Sequence, residues 1–286
     1  MSREVIEIVG RWTEDKIRAV EMYAKAYAVI FAAEAQRYLH PIYIDAFSGS
    51  GLKESKETGN KIEGSPLRVL SIEPRFQEYH FIDADPERIA ILKNEVRKYE
   101  SQIGQKLPVE FYVNEANQLL QEKLLPAVRY EDYRRALLFL DPYGLNVQWS
   151  VMELAGRMQT IDVILNFSIQ ALNRNFFPPT RRGLTQKQKA KLDVIWGNGW
   201  EDDLYAPSPQ EDLFLEEEHE KIPYGEVVNK FGERLVARAG FSFSSNPMLF
   251  KADRNQPLYY LLLASNNPTA KKIMDGIVTR VRQEKD

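Results

Sequence analysis

A turn of small residues follows an apolar segment at residues 42–51, which read Ile-Tyr-Ile-Asp-Ala-Phe-Ser-Gly-Ser-Gly. The apolar half is typical of a buried strand. Glycines in such a turn let the backbone approach a bound cofactor, and an acid at the strand end can pair with an ammonium group. Many surface turns contain Gly-Ser-Gly, so the turn alone is a weak indication. It makes six residues candidates for cofactor binding: Asp45, Phe47, Ser48, Gly49, Ser50 and Gly51.

A second acid, Asp83, follows the apolar run at residues 79–82. In nucleotide-binding α/β folds, a carboxylate in this position accepts hydrogen bonds from ribose hydroxyls. Asp83 and Asp85 could instead cap the helix that begins at Pro86, because aspartate is favoured at the N-cap and proline at the first helical position. We interpret Asp85 as the cap and Asp83 as a cofactor-binding residue.

A third apolar run, residues 109–113, leads into the polar segment Asn-Glu-Ala-Asn. Glu115 could accept a hydrogen bond from an adenine amino group, and Ala116 would then lie in the same site. Capping of the next helix by Asn114 or Asn117 explains the segment equally well. Glu115 and Ala116 are therefore candidates only in combination with the other strand ends.

A carboxylate, a rigid turn and an aromatic ring stand together at Asp141, Pro142 and Tyr143, directly after the apolar run at residues 136–140. Methylation of an amino group, for example, needs an acceptor and an aromatic ring placed together. An acceptor orients the NH₂ group or takes its proton, and a ring stacks on a planar target. As a turn alone, Asp-Pro-Tyr-Gly is unremarkable. Its place after a buried strand makes these three residues the catalytic candidates.

Strand-like and helix-like segments alternate along this part of the chain. The strand-like runs are rich in β-branched or aromatic residues and lie at residues 42–46, 79–82, 109–113, 136–140 and 161–167. The helix-like segments lie at residues 65–70, 86–98, 116–125 and 151–158. This alternation predicts an α/β fold with a parallel sheet and helices on both faces. Ligands of open α/β sheets bind beyond the carboxyl ends of the strands. We therefore expect the four strand-end acids to lie at one edge of the sheet: Asp45, Asp83, Glu115 and Asp141.

The rest of the chain is expected to extend and close this core. Helical spacing of apolar residues from Trp12 to about Leu39 predicts one long or two shorter helices, ended by Pro41. A helical pattern at residues 225–239 is followed by a closing hairpin at 241–251 and 258–264. The predicted parts are a helical extension at 1–40, a core at 41–169 and 225–286, and an inserted, helical substrate or partner region at 170–224.

The predicted insertion mixes basic and aromatic residues: Arg174, Phe176, Phe177, Arg181, Arg182, Lys187, Lys189, Lys191, Trp196 and Trp200. Such a mixture suits a nucleic-acid strand or another anionic substrate. A solvated helix face with tryptophans in the core explains it about as well. The acidic run at residues 216–220 further lowers the expectation of nucleic-acid binding here.

Composition limits the other function classes. The 286 residues contain no cysteine, which excludes disulfides, thiolate metal sites and cysteine nucleophiles, and the three histidines are scattered, so we expect no metal site. The formal net charge of −3 argues against a protein coated for non-specific nucleic-acid binding. No segment approaches the roughly 20 apolar residues of a membrane span, and the start is unlike a signal peptide. We expect a cytoplasmic protein that does not bind membranes.

These motifs together resemble class I S-adenosylmethionine-dependent methyltransferases. Residues 45–51 match the first motif, and Asp83 and Glu115 match the acids of the second and third strands. Asp141-Pro142-Tyr143 resembles the Asp-Pro-Pro-Tyr signature of amino methyltransferases. More closely, the chain resembles the three-Cys-motif partner family, which occurs beside a cysteine-motif protein similar to radical S-adenosylmethionine enzymes. The points of likeness are Trp12, Lys16, residues 45–51, Gly64-Ser65-Pro66-Leu67, residues 81–83 and residues 139–144.

The resemblance implies a Rossmann-like class I methyltransferase fold, with a mostly parallel seven-stranded sheet and a closing antiparallel hairpin. It implies S-adenosylmethionine as cofactor, with Asp45 at its methionine end, Asp83 at the ribose and Glu115 at the adenine. One hypothesis is an enzyme that methylates an amino nitrogen on nucleic acid or a protein acceptor. Another is a non-catalytic S-adenosylmethionine-binding partner of the radical S-adenosylmethionine-type protein. A nicotinamide oxidoreductase is a third, which the interruption of the glycine turn by residues 52–63 disfavours.

Overall fold

The computed structural model describes residues 6–33, 38–176, 178, 181–207, 219–252 and 256–283. The strands within them are β1 (Glu7–Val9), β2 (His40–Asp45), β3 (Leu52–Ser55), β4 (Lys61–Glu63), β5 (Glu78–Asp83), β6 (Val109–Val113), β7 (Arg134–Leu140), β8 (Ile161–Ser168), β9 (Tyr205–Pro207), β10 (His219–Lys221), β11 (Phe243–Ser244), β12 (Met248–Lys251) and β13 (Pro257–Ser265).

The α-helices within the same residues are α1 (Arg11–Ala32), α2 (Ser65–Leu70), α3 (Pro86–Ile103), α4 (Ala116–Leu119), α5 (Trp149–Met158), α6 (Ile169–Phe176), α7 (Gln186–Trp196), α8 (Glu201–Leu204), α9 (Tyr224–Ala237) and α10 (Pro268–Gln283). A π-helical turn, Leu120–Leu124, continues α4. Apart from β3 and β4, which follow β2 directly, helices and strands alternate from β2 to β8, as predicted.

A mixed sheet at the centre of the protein has the strand order β6-β5-β2-β7-β8-β13, with β11 and β12 both along the outer edge of β13. The strands from β6 to β8 are parallel, and β13 is antiparallel to its neighbours. This is the predicted α/β class I methyltransferase fold with its closing hairpin. The sheet has eight strands and not the predicted seven, because the outer strand is divided into β11 and β12. The division lies between Ser244 and Met248, where Pro247 has no N–H to pair.

Helices cover both faces of the sheet, because its strands are apolar on both sides. Within β2, Ile42 and Ile44 belong to one apolar core and Tyr43 belongs to the other. The first core includes residues of α4, α5, α7 and α9, and the second includes residues of α1, α2, α3 and α10. The sheet edge at which the site residues are predicted is therefore supported by helices on both faces.

The N-terminal helix is a single helix that ends earlier than predicted. Ala33 has extended backbone angles (φ −60°, ψ 141°), so α1 stops at Ala32. Residues 34–37, the end of the predicted helical stretch, lie outside the described residues. Pro41 lies within β2 instead of ending a helix, and its carbonyl accepts a hydrogen bond from the Gln77 N–H (2.9 Å). Proline is compatible with this position because it lies near the start of the strand.

The described part of residues 170–224 packs onto the core through α7 and α8. Trp196 and Trp200 are buried, and their indole N–H groups donate to Asp203 and Asp193. The interpretation of these two tryptophans as core residues is therefore correct. Two of the three lysines of α7 are exposed. Outside the described residues lie the side chains of Arg174, Phe176, Phe177 and Arg182 and the acidic residues 216–218.

A small second sheet forms between the glycine turn and α2. Residues 52–63, which interrupt the turn, are a hairpin of β3 and β4, and β1 adds to it in parallel with Glu7 beside Lys53. At the base of the hairpin, the Gly64 N–H donates to the Gly51 carbonyl oxygen (2.8 Å). The interruption is thus an ordered structure that brings the N-terminal strand to the glycine turn.

Candidate functional site

A cleft of about 660 Å³ lies beyond the carboxyl ends of β2, β5, β6 and β7. Eight predicted site residues line it: Phe47, Gly49, Asp83, Glu115, Ala116, Asp141, Pro142 and Tyr143. A smaller cavity, which shares part of this lining, adds the other three residues of the turn: Ser48, Ser50 and Gly51. Every predicted site residue except Asp45 therefore lines one of two neighbouring cavities.

The glycine turn has backbone conformations that favour glycine. Gly49 and Gly51 have φ values of 62° and 72°. A Cβ atom on Gly51 would lie 2.5 Å from Cδ1 of Leu92 in α3, whereas a Cβ atom on Gly49 would meet nothing within 4 Å. The Ser48 N–H ties the turn to β5 by donating to the Ile82 carbonyl oxygen (2.9 Å). The backbone at Gly49 is therefore open to close approach by a ligand.

Asp45 lies beneath the turn and has no exposed surface. Its Oδ2 accepts from the Ser65 hydroxyl (2.6 Å) and the Tyr43 hydroxyl (3.4 Å), and its Oδ1 accepts from the Phe47 N–H (3.3 Å). Burial raises the pKa of Asp45 to about 7, although the Ser65 hydrogen bond opposes the rise. Since Ser65 is the first residue of α2, Asp45 connects the strand end, the turn and that helix.

Asp83 lies between the glycine turn and the start of α3. Its Oδ2 accepts from the Gly49 N–H (3.0 Å), and its Oδ1 accepts from the Asp85 N–H (2.8 Å). Each oxygen of a carboxyl group can accept more than one hydrogen bond, so Asp83 can still accept hydrogen bonds from a ligand in the cleft. Asp85 is the N-cap of α3, accepting from the N–H groups of Glu87 and Arg88, which confirms that prediction.

Glu115 is itself the N-cap of α4, in the role that we considered for Asn114 or Asn117. Its Oε1 accepts from the Asn117 N–H (3.1 Å), and its Oε2 accepts from the Gln118 N–H (2.8 Å). Asn114 instead accepts from the Glu115 N–H. Both oxygens of Glu115 are thus used at the start of the helix, although the residue also lines the cleft beside Ala116.

Asp141 is held between a lysine of α1 and an asparagine of β8. Lys16 Nζ donates to its Oδ2 (2.6 Å), and Asn166 Nδ2 donates to its Oδ1 (2.6 Å). Burial would raise the pKa of Asp141, but the positive charges of Lys16 and Lys53 and these two hydrogen bonds hold it below the ordinary value. Asp141 is therefore ionised at neutral pH.

The mouth of the cleft carries an exposed aromatic ring. Tyr143 is 82% exposed, whereas the adjacent Pro142 is buried. An exposed ring in this place can stack on a planar ligand. Deeper in the cleft, the Lys16 ammonium lies 5.0 Å from the centre of the Tyr259 ring, which stabilises its positive charge.

Four charged side chains of the cleft are absent from the predicted site: Glu7, Lys16, Lys53 and Arg88. Glu7 accepts from Lys53 (2.8 Å) and from Arg88 (3.3 Å). The sequence indicates Lys16, because it is one of the residues that carry the family resemblance. No pattern in the sequence indicates that Glu7 and Lys53 belong to the site, because they are 46 residues apart and meet only when β1 pairs with β3.

Two other kinds of feature are absent from the described residues. No group of three or more histidine and acidic side chains there could hold a metal ion. No helix in the same residues is long and apolar enough to cross a membrane.

No family model matches the chain, and no curated protein matches its sequence. Similar solved structures include a Legionella pneumophila protein, with 10% identity, 91% of each chain covered and a TM-score of 0.48. An rRNA methylase from Streptococcus thermophilus has 10% identity, covers 87% of this chain and 95% of its own, and has a TM-score of 0.34. Magnesium protoporphyrin IX methyltransferase from Synechocystis, with bound S-adenosylmethionine, has 8% identity, 90% and 85% coverage, and a TM-score of 0.38. Similarity at this level assigns neither a cofactor nor an acceptor to this chain.

Proposed function

We propose that the protein binds S-adenosylmethionine in the cleft and transfers its methyl group to an amino nitrogen. One observation carries the proposal: the glycine turn, Asp83 and the group Asp141-Pro142-Tyr143 line the same cleft. Its volume of about 660 Å³ lies within the range of about 300 to 1,000 Å³ that is usual for small-molecule sites. Donor-binding and acceptor-binding groups would thus face a common space.

The residues of the cleft fit the parts of the donor. The open backbone at Gly49 allows close approach, and Asp83 can accept hydrogen bonds from ribose hydroxyls. Glu115 and Ala116 form the wall that we assign to the adenine. Asp45, which has no exposed surface, would support the methionine end by fixing the turn. The bound donor supplies a methyl group activated by its positively charged sulfur.

In this proposal Asp141 orients the acceptor and does not act as a strong base. A carboxylate whose pKa is lowered has little tendency to take a proton at neutral pH, but it is a good hydrogen-bond acceptor. An amino group that donates to Asp141 would be held with its nitrogen directed into the cleft. Correct orientation of two reactants by itself accounts for a large part of many catalysed rates.

The exposed ring of Tyr143 favours a planar acceptor. Stacking on an aromatic side chain at a cleft mouth is a common way to hold an unpaired nucleobase. We therefore propose an exocyclic amino group of a nucleic acid as the acceptor, with a protein amine as the alternative.

A second candidate function is favoured by the position of Lys16. Its ammonium already donates to Oδ2 of Asp141, so an acceptor amine would have to share or displace this contact. A protein with this arrangement could bind S-adenosylmethionine without transferring the methyl group. It would then be a partner of a radical S-adenosylmethionine-type protein, as the resemblance to the three-Cys-motif partner family implies.

Calorimetry with S-adenosylmethionine and with NAD tests the donor. We expect S-adenosylmethionine to bind and NAD not to bind, since the glycine turn leads into the hairpin of β3 and β4 and not directly into a helix. Failure of S-adenosylmethionine to bind the protein would refute both the enzyme and the partner function.

Transfer of a labelled methyl group to RNA, DNA or protein fractions tests the enzyme. We compare the wild type with Asp141→Asn and, as a control, with Glu131→Gln, a change at an exposed acid outside the cleft. Loss of one preorganised polar contact typically lowers kcat by about 100-fold or more, and we expect this for Asp141→Asn only. Equal transfer by Asp141→Asn would remove Asp141 from the mechanism. Donor binding without transfer to any fraction would favour the partner function.

A further inference from the structure

Two cations and a carboxylate meet beside the glycine turn. Lys53, on the inserted hairpin, lines both the cleft and the smaller cavity. Its Nζ lies 2.8 Å from Oε2 of Glu7, and the Arg88 guanidinium lies 3.3 Å from Oε1 of the same residue. A carboxylate is thus already bound at this position, and it comes from the protein's own N-terminal strand.

The Lys53 side chain faces the space beside the glycine turn and Asp141. Lys53 and Asp141 both line the cleft and the smaller cavity, together with Phe47 and Gly49 of the turn. The Lys53 ammonium therefore lies at the space between the glycine turn and the catalytic candidates. The methionine end of a donor must lie there if its methyl group is to reach an amino group at Asp141.

We propose that Lys53 binds the carboxylate of the donor's methionine end, and that Glu7 occupies this position when no donor is bound. The inference rests on the proposed function, because it assigns one part of S-adenosylmethionine to one residue. Lys53 would recognise the part of the donor that does not take part in the chemistry.

The other cations of the cleft fit this role less well. Lys16 is only 7% exposed and is held by Asp141 at 2.6 Å. Arg88 lies 4.0 Å from Asp83, at the end of the cleft that we assign to the ribose. Glu7, by contrast, is 38% exposed and belongs to a strand of three residues, so it can be displaced from Lys53 by a competing carboxylate.

Calorimetry with a pair of ligands tests this assignment directly. S-adenosylmethionine and its decarboxylated form both contain the sulfonium, the amine and the adenosine, and they differ in the carboxylate. The variants are Lys53→Met and, as a matched control on the same hairpin, Lys61→Met, whose lysine is exposed and lies outside the cleft. Circular dichroism checks that each variant is folded.

We expect Lys53→Met to weaken S-adenosylmethionine binding by about tenfold or more, which is the effect of losing one charge-assisted contact. It should leave binding of the decarboxylated form unchanged, and Lys61→Met should affect neither ligand. Lys53→Arg should retain most of the affinity, and Glu7→Gln should strengthen S-adenosylmethionine binding by removing the competing carboxylate.

Equal loss of affinity for both ligands in Lys53→Met, or no loss for either, would overturn the inference. Weaker S-adenosylmethionine binding in Glu7→Gln would contradict the proposed competition. These outcomes differ from failure of the proposed function, in which the wild-type protein would not bind S-adenosylmethionine at all.

Discussion

Replacement of Asp45 by asparagine should remove a large part of the pH dependence of stability. Asparagine has the same shape and cannot ionise; its amide oxygen can still accept from the Phe47 N–H, and its NH₂ group can donate to the Ser65 hydroxyl oxygen. The pKa of Asp45 is about 7 in the folded protein, compared with an ordinary value of 3.8. Between these values, the folded protein keeps a proton that the unfolded chain has released. The free energy of unfolding of the wild type therefore falls as the pH rises through this window.

The size of the effect follows from the shift. Each unit of difference between the folded and unfolded pKa values corresponds to about 1.36 kcal/mol. A difference of about three units therefore lowers the free energy of unfolding of the wild type by about 4 kcal/mol at pH values above this window. About 2.5 kcal/mol of this is lost between about pH 5 and about pH 8, because the unfolded chain is already mostly ionised at the lower value. The free energy of unfolding of Asp45→Asn, relative to that of the wild type, should increase by this amount over the same interval.

Urea unfolding followed by tryptophan fluorescence measures this difference at several pH values. Asp162→Asn is a suitable comparison, because burial raises the pKa of Asp162 to about 6. The pH-dependent difference in the free energy of unfolding between this variant and the wild type should therefore end at a lower pH than that for Asp45→Asn. If the wild type and Asp45→Asn depend on pH in parallel, Asp45 does not have the raised pKa. The account of a buried acid beneath the turn would then be wrong.

Three further substitutions test the turn and the mouth of the cleft. Gly51→Ala should lower the free energy of unfolding by about 2 kcal/mol or more, because the new Cβ meets Leu92 and φ is positive. Gly49→Ala, with a positive φ but open space, should cost only about 1 kcal/mol, and equal losses in urea titrations would contradict this. Tyr143→Ala should raise KM for a nucleic-acid acceptor about tenfold, as expected for one lost stacking contact, without changing the urea midpoint. An unchanged KM would show that the ring does not contact the acceptor.

The location of the strand-end residues in one cleft could be predicted because it follows from local patterns. Short apolar runs predict strands, the helices between them make the strands parallel, and parallel strands end at the same edge of the sheet. The same reasoning predicted the N-cap at Asp85, since the cap lies next to the helix that it starts. It missed the interruption of the outer strand between Ser244 and Met248, where Pro247 has no N–H to pair.

The contacts made by Asp45 and Asp141 could not be predicted, because their main partners come from distant parts of the chain. Asp141 and Lys16 are 125 residues apart, and Asp141 and Asn166 meet only because β7 and β8 are neighbours in the sheet. Asp45 looks like a ligand-binding acid in the sequence, but the ordered hairpin lets Ser65 return to its carboxylate across 20 residues. A strand-end acid has the same pattern in the sequence whether it faces a ligand or a helix.

Asp45 and Asp141 show how two acids at neighbouring strand ends come to differ in charge. Asp45 has hydroxyl and N–H donors but no ion pair, so burial dominates, and the negative charge of Asp141 raises its pKa further. Asp141 is paired with Lys16, so it stays ionised in spite of burial. Neighbouring acids whose pKa values are shifted in opposite directions are typical of acid–base assignments in active sites. Here the ionised member lines the cleft, where its charge is balanced by Lys16, and the other lies beneath the turn, where none of the described cations is paired with it.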